Sequence, residues 1–261
     1  MKKIAIIGGG NLGTAMALGL IKSGFVPAQS ITVTKRNTLT LVGLESVGVH
    51  VSSDNTQAVK NAEVIILAVK PFQVKEILQA IAPVLSAEHT VISVVTGIDL
   101  QEMQSVIQKD IPLFRAMPNT AIAIQESITC ISSINSSEDQ KHYVNNLFSQ
   151  LGKIAIIDEK LMNAATVLGA CGTAFAMRYI RANIQGGIEI GFDAATASLI
   201  AAQTVKGAAE LLLTTHTHPE QEIDKVTTPK GCTIAGLNEM EHQGFSSSLI
   251  KGIAASFAKI G

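Results

Sequence analysis

Three glycines near the start of the sequence have the spacing of a turn that holds the phosphates of a dinucleotide. Gly8, Gly10 and Gly13 follow a short apolar run and precede a helical pattern. In such a turn the first glycine permits a tight bend, the second lets a pyrophosphate approach the backbone, and the third lets helix and strand pack closely. The helix start adds free N–H groups and the positive end of its dipole. We therefore predict a dinucleotide site at these glycines, together with Asn11 and Leu12.

The end of the next strand-like run indicates which dinucleotide fits. A site for NAD places Asp or Glu there, on the ribose hydroxyls. Here Thr34, Lys35 and Arg36 occupy this position instead. Two cations and a hydroxyl would bind a 2′-phosphate, which a carboxylate would repel. We therefore predict that NADPH is preferred and that NADH is possible; the alternative is that the two cations are solvated surface residues.

Two later segments also end strand-like runs and are predicted to face the cofactor. In open parallel sheets, ligands bind beyond the carboxyl ends of the strands. The residues predicted at these two strand ends are Ala68, Val69, Lys70, Pro71, Thr96 and Gly97. Lys70 is either a cation of the site or a lysine that merely flanks a helix, and the sequence leaves both open.

A fourth candidate lies far downstream, in the segment Thr228–Thr233. Pro229 fixes a turn, Gly231 gives the backbone freedom, and a helical pattern resumes at Thr233. Free N–H groups at such a helix start bind a carboxylate. The sequence therefore predicts an anion-binding loop close to the carboxyl end of the chain.

The candidate residues of the dinucleotide site lie on an alternation of strand-like and helical patterns that continues to about residue 158. Such alternation predicts βα units on a parallel sheet. The predicted strands are Lys3–Ile7, Ile31–Thr34, Val64–Ala68, Thr90–Val95, Pro112–Met117, Ser127–Ile131 and Lys153–Ile157. The predicted helices between them are Asn11–Ser23, Thr38–Ser46, Phe72–Leu85, Leu100–Gln108 and Glu138–Leu151. Residues 52–55 are predicted to form a loop into a helix capped by Asp54 or Asn55.

After Asp158 the strand-like runs stop and long Ala-rich helical patterns follow. The segments Leu161–Ile184 and Asp193–His216 are apolar or small on nearly every face. A helix of this kind is buried in a core or against a partner. We therefore predict an α/β fold: a Rossmann-type doubly wound sheet over residues 1–158, followed by an all-helical dimerisation and substrate-binding domain over residues 159–261. The expected assembly is a homodimer or a higher oligomer of dimers.

Composition and charge exclude several classes of protein. The 261 residues are 47% hydrophobic and 16% charged, which excludes intrinsic disorder. Lys and Arg total 20 against 21 Asp and Glu, so no basic excess points to a nucleic-acid partner. The glycine turn interrupts the apolar stretch after Met1, which argues against a signal peptide. No membrane span is expected either, because Leu161–Met177 is short and contains polar residues.

Cysteine and histidine residues carry no clear metal or disulfide pattern. Cys130, Cys171 and Cys232 are odd in number and widely spaced, which is typical of a reducing, cytoplasmic compartment. Cys171 and Cys232 are interpreted as small packing residues, with reactive thiols as the alternative. His216 and His218 have no third ligand at suitable spacing, so no metal site is predicted.

Four segments together resemble the pyrroline-5-carboxylate reductases, which catalyse the last step of proline synthesis. They are Gly-Gly-Gly-Asn at 8–11, Ala-Val-Lys-Pro at 68–71, Met-Pro-Asn-Thr at 117–120 and the downstream loop at 228–237. The resemblance covers essentially the whole chain, in order. It implies reduction of 1-pyrroline-5-carboxylate to L-proline, with the nucleotide domain of one subunit working with the helical domain of its partner.

The resemblance also implies roles for individual residues. The N–H groups of Gly231, Cys232 and Thr233 would hold the substrate carboxylate, and the Thr233 hydroxyl would lie near the ring nitrogen as the catalytic group. Reduction of a cyclic imine requires mainly orientation and a hydrogen bond at nitrogen, so the chemistry needs few side chains. The implied cofactor contacts are Gly8, Asn11, Asn55 and the segment 68–71.

Two segments depart from the pattern of that family. Lys230 stands where the family usually has glycine, and residues 168–175 read Leu-Gly-Ala-Cys-Gly-Thr-Ala-Phe where the family has Ser-Gly-Ser-Gly-Pro-Ala-Tyr. These departures leave two alternatives open. One is an NADP-binding paralogue with a regulatory or scaffold role, and the other is a reductase of another cyclic imine or of a keto or hydroxy acid.

Overall fold

The computed structural model describes residues 1–260, which form two compact units, Met1–Thr173 and Ala174–Lys259. The first unit is built on an eight-stranded sheet with the order β3-β2-β1-β4-β5-β6-β7-β8. Its strands are β1 (Ile4–Ile7), β2 (Ile31–Thr34), β3 (His50–Ser52), β4 (Val64–Leu67), β5 (Thr90–Ser93), β6 (Leu113–Met117), β7 (Ser127–Ile134) and β8 (Gly152–Ile156). Strands β1 to β6 are parallel to one another, and the order reverses direction beside β1, as in doubly wound sheets.

Helices cover both faces of this sheet. They are α1 (Asn11–Lys22), α2 (Val42–Glu45), α3 (Asn55–Lys60), α4 (Val74–Ile81), α5 (Leu100–Ile107) and α6 (Glu138–Ser149). Alternate residues of β1 point to opposite faces of the sheet. Ile4 and Ile6 pack in a core with α1 and α6, whereas Ala5 and Ile7 pack in a core with α3, α4 and α5. Burial on both faces explains why these strands are almost uninterrupted runs of Ile, Val and Leu.

The sheet differs from the sequence-based prediction at two places. The edge strand β3, which ends at the first residue of the loop predicted for residues 52–55, was not predicted, because its three residues are too few and too exposed to show a pattern. Strand β7, expected to be parallel, runs antiparallel to β6. A parallel crossover needs a dozen or more residues, whereas the connection from β6 to β7 has nine and contains only the short 3₁₀ helix Thr120–Ile124.

Two predicted helices are also shorter in α-helical form than their sequence patterns indicated. The segment expected as Thr38–Ser46 is a 3₁₀ helix, Thr38–Leu41, followed by α2. The segment expected as Phe72–Leu85 consists of a 3₁₀ turn, Pro71–Gln73, then α4 and a second 3₁₀ turn. In this second segment, Pro71 and Pro83 account for the interruptions, because proline lacks the N–H that continues a helix.

The remaining elements are helical. After the 3₁₀ turn Glu159–Leu161 come α7 (Met162–Ala165), a π-helical segment (Thr166–Cys171), α8 (Gly172–Glu189), α9 (Ala194–Thr215), α10 (Pro219–Lys225), α11 (Cys232–His242) and α12 (Phe245–Phe257). The predicted helix Asp193–His216 agrees closely with α9, which Asp193 caps by accepting N–H groups of Ala195 and Thr196. The Thr196 side chain and these backbone N–H groups lower the pKa of Asp193.

The start of the helical region belongs to the first compact unit. Residues 159–171 pack on β6 and β7, and Met162, Thr166 and Val167 are buried there. The predicted division after residue 158 therefore coincides with the end of the sheet, whereas the compact unit continues to Thr173. The domain boundary at 158 stays a prediction. No helix within residues 1–260 has both the length and the apolar content to cross a membrane.

Candidate functional site

The glycine turn after β1 has the geometry that a phosphate cradle requires. Gly8 has φ +118°, and a Cβ there would lie 2.3 Å from the carbonyl oxygen of Ala68. A Cβ on Gly13 would lie 2.1 Å from the carbonyl oxygen of Gly8. A Cβ on Gly10, in contrast, would meet no atom within 4 Å. Gly8 and Gly13 are therefore required by packing, while Gly10 leaves open space in front of the helix.

The start of α1 faces this space with unused hydrogen-bond donors. Gly10 is the N-cap of α1 and supplies no capping side chain, so the first N–H groups of the helix keep no side-chain acceptor. Asn11 is exposed at the first helical position, and Leu12 is half-buried against the core. This open cradle with free N–H groups suits the pyrophosphate of a dinucleotide.

The ends of three adjacent strands hold the turn in place. The N–H groups of Gly8 and Gly9 donate to the carbonyl oxygen of Thr34, at 3.1 and 2.8 Å. The N–H of Ala68 donates to the carbonyl oxygen of Ile7 at 2.8 Å. The structure thus brings the predicted residues at the ends of β1, β2 and β4 together at one edge of the sheet.

The end of β2 presents the two predicted cations but uses its hydroxyl internally. Thr34 is buried, and its Oγ1 donates to Oδ1 of Asn55 at 2.6 Å. Asn55 is the first residue of α3, which Asp54 caps by accepting the N–H of Gln57 at 2.9 Å. Lys35 is half-buried and Arg36 exposed, and neither forms a salt bridge within residues 1–260. The predicted phosphate clamp, the group of residues expected to bind a 2′-phosphate, therefore reduces to the two cations.

The ends of β4 and β5 lie at the same sheet edge. Lys70 is exposed and is the N-cap residue of the turn Pro71–Gln73, so its backbone flanks a helix while its ammonium forms no salt bridge within residues 1–260. Thr96 and Gly97 are exposed beyond β5, and Gly97 has φ +79°. Both segments occupy the predicted position beyond the carboxyl ends of the strands.

In the second unit, the downstream loop runs into α11 as predicted. The helix begins at Cys232, one residue before the expected start, with Gly231 as its N-cap. Gly231 supplies no capping side chain, so the N–H groups of Cys232 and Thr233 lie in the first turn, where the helix itself offers no acceptor. Thr233 is half-buried and Cys232 is exposed. This arrangement suits a small carboxylate.

The backbone of this loop differs from the expectation at Gly231. Gly231 has an extended backbone with φ −71°, so it is needed for space rather than for conformational freedom. A Cβ there would lie 2.5 Å from Oγ1 of Thr228. Its N–H already donates to the carbonyl oxygen of Thr228 at 2.9 Å. The left-handed residue is instead Lys230, with φ +60°, which is the position where the resemblance indicates glycine.

The other departing segment, residues 168–175, overlaps the end of the π-helical turn and the start of α8. That turn covers Thr166–Cys171, and the carbonyl oxygen of Gly169 accepts from Nδ2 of Asn119 at 3.2 Å. Asn119 belongs to the Met-Pro-Asn-Thr segment at 117–120. The unusual helix is therefore anchored directly to one of the motifs that carried the resemblance.

One polar pair near the site was missed by sequence reasoning. Arg115, in the middle of β6, is 5% exposed and pairs with Glu159, whose Oε1 lies 3.2 Å from its Nη1. A charged residue inside an apolar strand could have indicated a buried partner. The identity of this partner, Glu159, could not be predicted from the sequence, because 44 positions separate it from Arg115.

Cys130, His216 and His218 carry side chains of the kinds that thiol or metal chemistry would use. Burial raises the pKa of the Cys130 thiol, which favours its neutral form. His216 ends α9 with a left-handed backbone, and Nδ1 of His218 accepts the N–H of Glu220 at the start of α10. Within residues 1–260, no group of three or more His, Cys, Asp or Glu side chains is arranged to hold a metal ion.

The fold and the glycine cradle define a nucleotide-binding oxidoreductase with a helical carboxyl-terminal region. Residues 3–97 match the family model described as NADP oxidoreductase coenzyme F420-dependent, and residues 159–261 match the model for pyrroline-5-carboxylate reductase dimerisation. Pyrroline-5-carboxylate reductase 2 of Dictyostelium discoideum is 42% identical over 99% of this chain and 92% of its own length. The chain belongs to the pyrroline-5-carboxylate reductase family.

Two further comparisons extend this result. Pyrroline-5-carboxylate reductase 1 of Dictyostelium discoideum is 46% identical over 98% of this chain, which spans only 49% of the length of that relative. The crystal structure of Plasmodium falciparum pyrroline carboxylate reductase with NADP bound has a TM-score of 0.87 and 25% identity, covering 99% of this chain and 97% of the other. The expected fold class and family are thereby confirmed.

Proposed function

We propose that this protein reduces 1-pyrroline-5-carboxylate to L-proline, with NADPH as the preferred hydride donor and NADH as a possible one. The observation that carries the proposal is the cradle at Gly8, Gly10 and Gly13, in a chain whose family is named for this reaction. A regulatory paralogue that binds NADP without turnover would need the cradle but not the free helix start at Cys232.

The residues proposed to hold the cofactor surround that cradle. They are Gly8, Gly10, Asn11, Leu12, Gly13, Thr34, Lys35, Arg36, Asn55, Ala68, Val69, Lys70, Pro71, Thr96 and Gly97. Lys35 and Arg36 favour a 2′-phosphate because they leave a positive charge at the end of β2. Thr34 acts in this set by orienting Asn55 and by accepting the N–H groups of the turn. The bound nicotinamide supplies the hydride.

The substrate is proposed to bind at the start of α11. The N–H groups of Cys232 and Thr233 hold its carboxylate, and Gly231 lets the loop keep this shape because a side chain there would collide with Thr228. The Thr233 hydroxyl donates a hydrogen bond to the ring nitrogen and so orients the imine. It also favours the protonated product, because a proton must reach this nitrogen during the reduction.

The proposal also includes the oligomeric state of the protein and its cellular compartment. Large apolar side chains such as Ile190, Leu199 and Leu213 are 78%, 71% and 57% exposed in the second unit. Exposure on this scale marks an interaction surface, and the matching model concerns dimerisation, so we assign a homodimer or an oligomer of dimers. Three free cysteines are consistent with a cytoplasmic setting. We retain residues 159–261 as the dimerisation and substrate-binding domain.

A single assay tests the reaction. Purified protein is mixed with racemic pyrroline-5-carboxylate, and the oxidation of NADPH and of NADH is followed by absorbance, with proline identified in the product. Rapid oxidation that yields proline supports the proposal. Oxidation only with a six-membered cyclic imine or a keto acid would establish the alternative substrate, and NADPH binding without oxidation of any of them would establish the regulatory paralogue.

A further inference from the structure

The carboxylate of Glu159 joins three separate elements of the first unit. Its Oε1 accepts the backbone N–H of Leu100 at 2.7 Å and Nη1 of Arg115 at 3.2 Å. Leu100 is the first residue of α5, Arg115 lies in β6, and Glu159 opens the helical region after β8. One oxygen atom therefore ties a helix start, a central strand and the beginning of the region that matches the dimerisation model.

As a pair, Arg115 and Glu159 are less exposed than the other ion pairs found within residues 1–260. The side chains of Arg115 and Glu159 are 6% and 25% exposed, and Nε of Arg115 is buried without a hydrogen-bond partner in the part of the chain that is described. A pair in such surroundings is weakly screened by solvent, so removing the carboxylate leaves a buried guanidinium without its counter-charge.

The position of Leu100 connects this contact to the cofactor site. The loop from β5 to α5 contains Thr96 and Gly97, both exposed, and Gly97 has a left-handed backbone with φ +79°. Strand β5 fixes the first end of the loop through its sheet pairing, and the Glu159 hydrogen bond fixes the other end at Leu100. Gly97 and Glu159 also line the same cleft of about 480 Å³.

We propose that Glu159 is a positioning residue for hydride transfer. It holds the Thr96–Gly97 loop in the conformation that places the reactive end of the cofactor, and it does so from the first residue of the helical region. This inference rests on the proposed function. A loop that shifts by about 1 Å would lower the rate of the chemical step far more than the affinity for the nucleotide.

The test compares three variants of the full chain. Glu159→Ala removes both hydrogen bonds, Glu159→Gln keeps an acceptor oxygen for Leu100, and Glu102→Gln neutralises a carboxylate that lines the same cleft but pairs with the exposed Lys75. For each we would measure turnover per folded protein, the dissociation constant of NADPH, the kinetic isotope effect with NADPH deuterated at the transferred position, and amide exchange of residues 94–100 without nucleotide.

Glu159→Ala is expected to lower kcat by about tenfold or more, to change the NADPH dissociation constant by less than about threefold and to raise the isotope effect. Hydrogen exchange of the Leu100 backbone amide should become faster. Glu159→Gln should recover most of the activity, and Glu102→Gln should resemble the wild type in every measurement. A merely destabilising change would reduce the folded fraction without moving the isotope effect.

Wild-type kcat, isotope effect and exchange in folded Glu159→Ala would overturn the proposal, as would a Glu159→Gln variant as impaired as the alanine variant. If the wild-type protein itself fails to reduce pyrroline-5-carboxylate, the proposed function fails on its own. The exchange measurement then still decides whether Glu159 fixes the loop, because it needs neither substrate nor nucleotide.

Discussion

The hydroxyl of Thr34 donates to Oδ1 of Asn55 at 2.6 Å, and this bond joins the end of β2 to the start of α3. With its oxygen held by Thr34, the amide NH₂ group of Asn55 remains the donor that faces other partners. The carbonyl oxygen of the same threonine accepts two N–H groups of the glycine turn. One buried residue therefore organises two parts of the proposed nucleotide site.

Loss of that hydroxyl should weaken nucleotide binding. Thr34→Val keeps the shape of the side chain but leaves the amide oxygen of Asn55 without its donor, at a cost of about 1 kcal/mol or more. We expect the dissociation constant of NADPH to rise by about fivefold or more. Titration of NADPH fluorescence measures it. Thr34→Ser is the matched control, since it retains the hydroxyl; equal weakening in both variants would contradict this role of the hydrogen bond.

Arg36 should decide between the two nicotinamide cofactors. Arg36→Asp replaces a cation with a group that repels a 2′-phosphate and favours free ribose hydroxyls, so the ratio of kcat/KM for NADPH over NADH should fall by about tenfold or more. Steady-state kinetics with both cofactors measures this ratio. Lys22→Asp, which reverses an exposed charge at the end of α1, is the control for net charge. An unchanged ratio in the Arg36 variant would refute the phosphate clamp.

The first unit shows how far the sequence determines the fold. The carboxyl ends of β1, β2, β4 and β5 were predictable because hydrophobic runs and glycine spacing are local signals. The antiparallel direction of β7 was not, because it depends on the length of the connection through Thr120–Ile124, which the alternating pattern does not reveal. The edge strand His50–Ser52 has too few buried residues to leave a periodic signal.

The candidate site likewise contains features that the sequence could predict and features that it could not. The glycine cradle could be predicted because the spacing of its glycines is a local signal. At Gly8 and Gly13 that signal reflects a steric demand, such as the 2.1 Å between a Cβ on Gly13 and the carbonyl oxygen of Gly8. The Arg115–Glu159 pair depends on the pairing of distant elements, which single-sequence patterns do not contain. The left-handed backbone at Lys230 was hidden for another reason, since lysine carries no signal for that conformation.

The left-handed Lys230 should cost stability that glycine would restore. A residue with a Cβ in this conformation is disfavoured by roughly 1 kcal/mol, so Lys230→Gly is expected to raise the unfolding free energy by up to about that amount. Thermal and denaturant unfolding measure the change. Lys230→Gln separates the two properties of the residue, because it removes the charge and keeps the Cβ. If both variants gain the same stability, charge and not backbone strain is responsible.

Tyr143 should give the protein an alkaline dependence of stability. Burial, and secondarily the charge of Glu63, raise the pKa of Tyr143 to about 12. Its ordinary value is about 10. Because the folded state keeps the proton that the unfolded state loses first, this contribution is fully present below about pH 10 and is lost as the pH rises towards 12. Tyr143→Phe should therefore show a smaller loss of unfolding free energy over that range, as measured by denaturant titration. An identical loss in both proteins would show that Tyr143 does not contribute.

Thr233 is the sharpest test of the proposed chemistry. Thr233→Ala removes the hydroxyl proposed to bond the ring nitrogen but keeps the backbone N–H groups at the start of α11. We expect kcat with pyrroline-5-carboxylate to fall by about tenfold to a hundredfold, while the dissociation constant of NADPH stays within about twofold. Thr233→Ser, which keeps a hydroxyl, should retain most of the turnover. Because the carboxylate contacts are backbone groups, the KM of the alanine variant should change less than its kcat. Unchanged kcat in Thr233→Ala would remove this residue from the catalytic role and leave orientation by the backbone as the source of the rate.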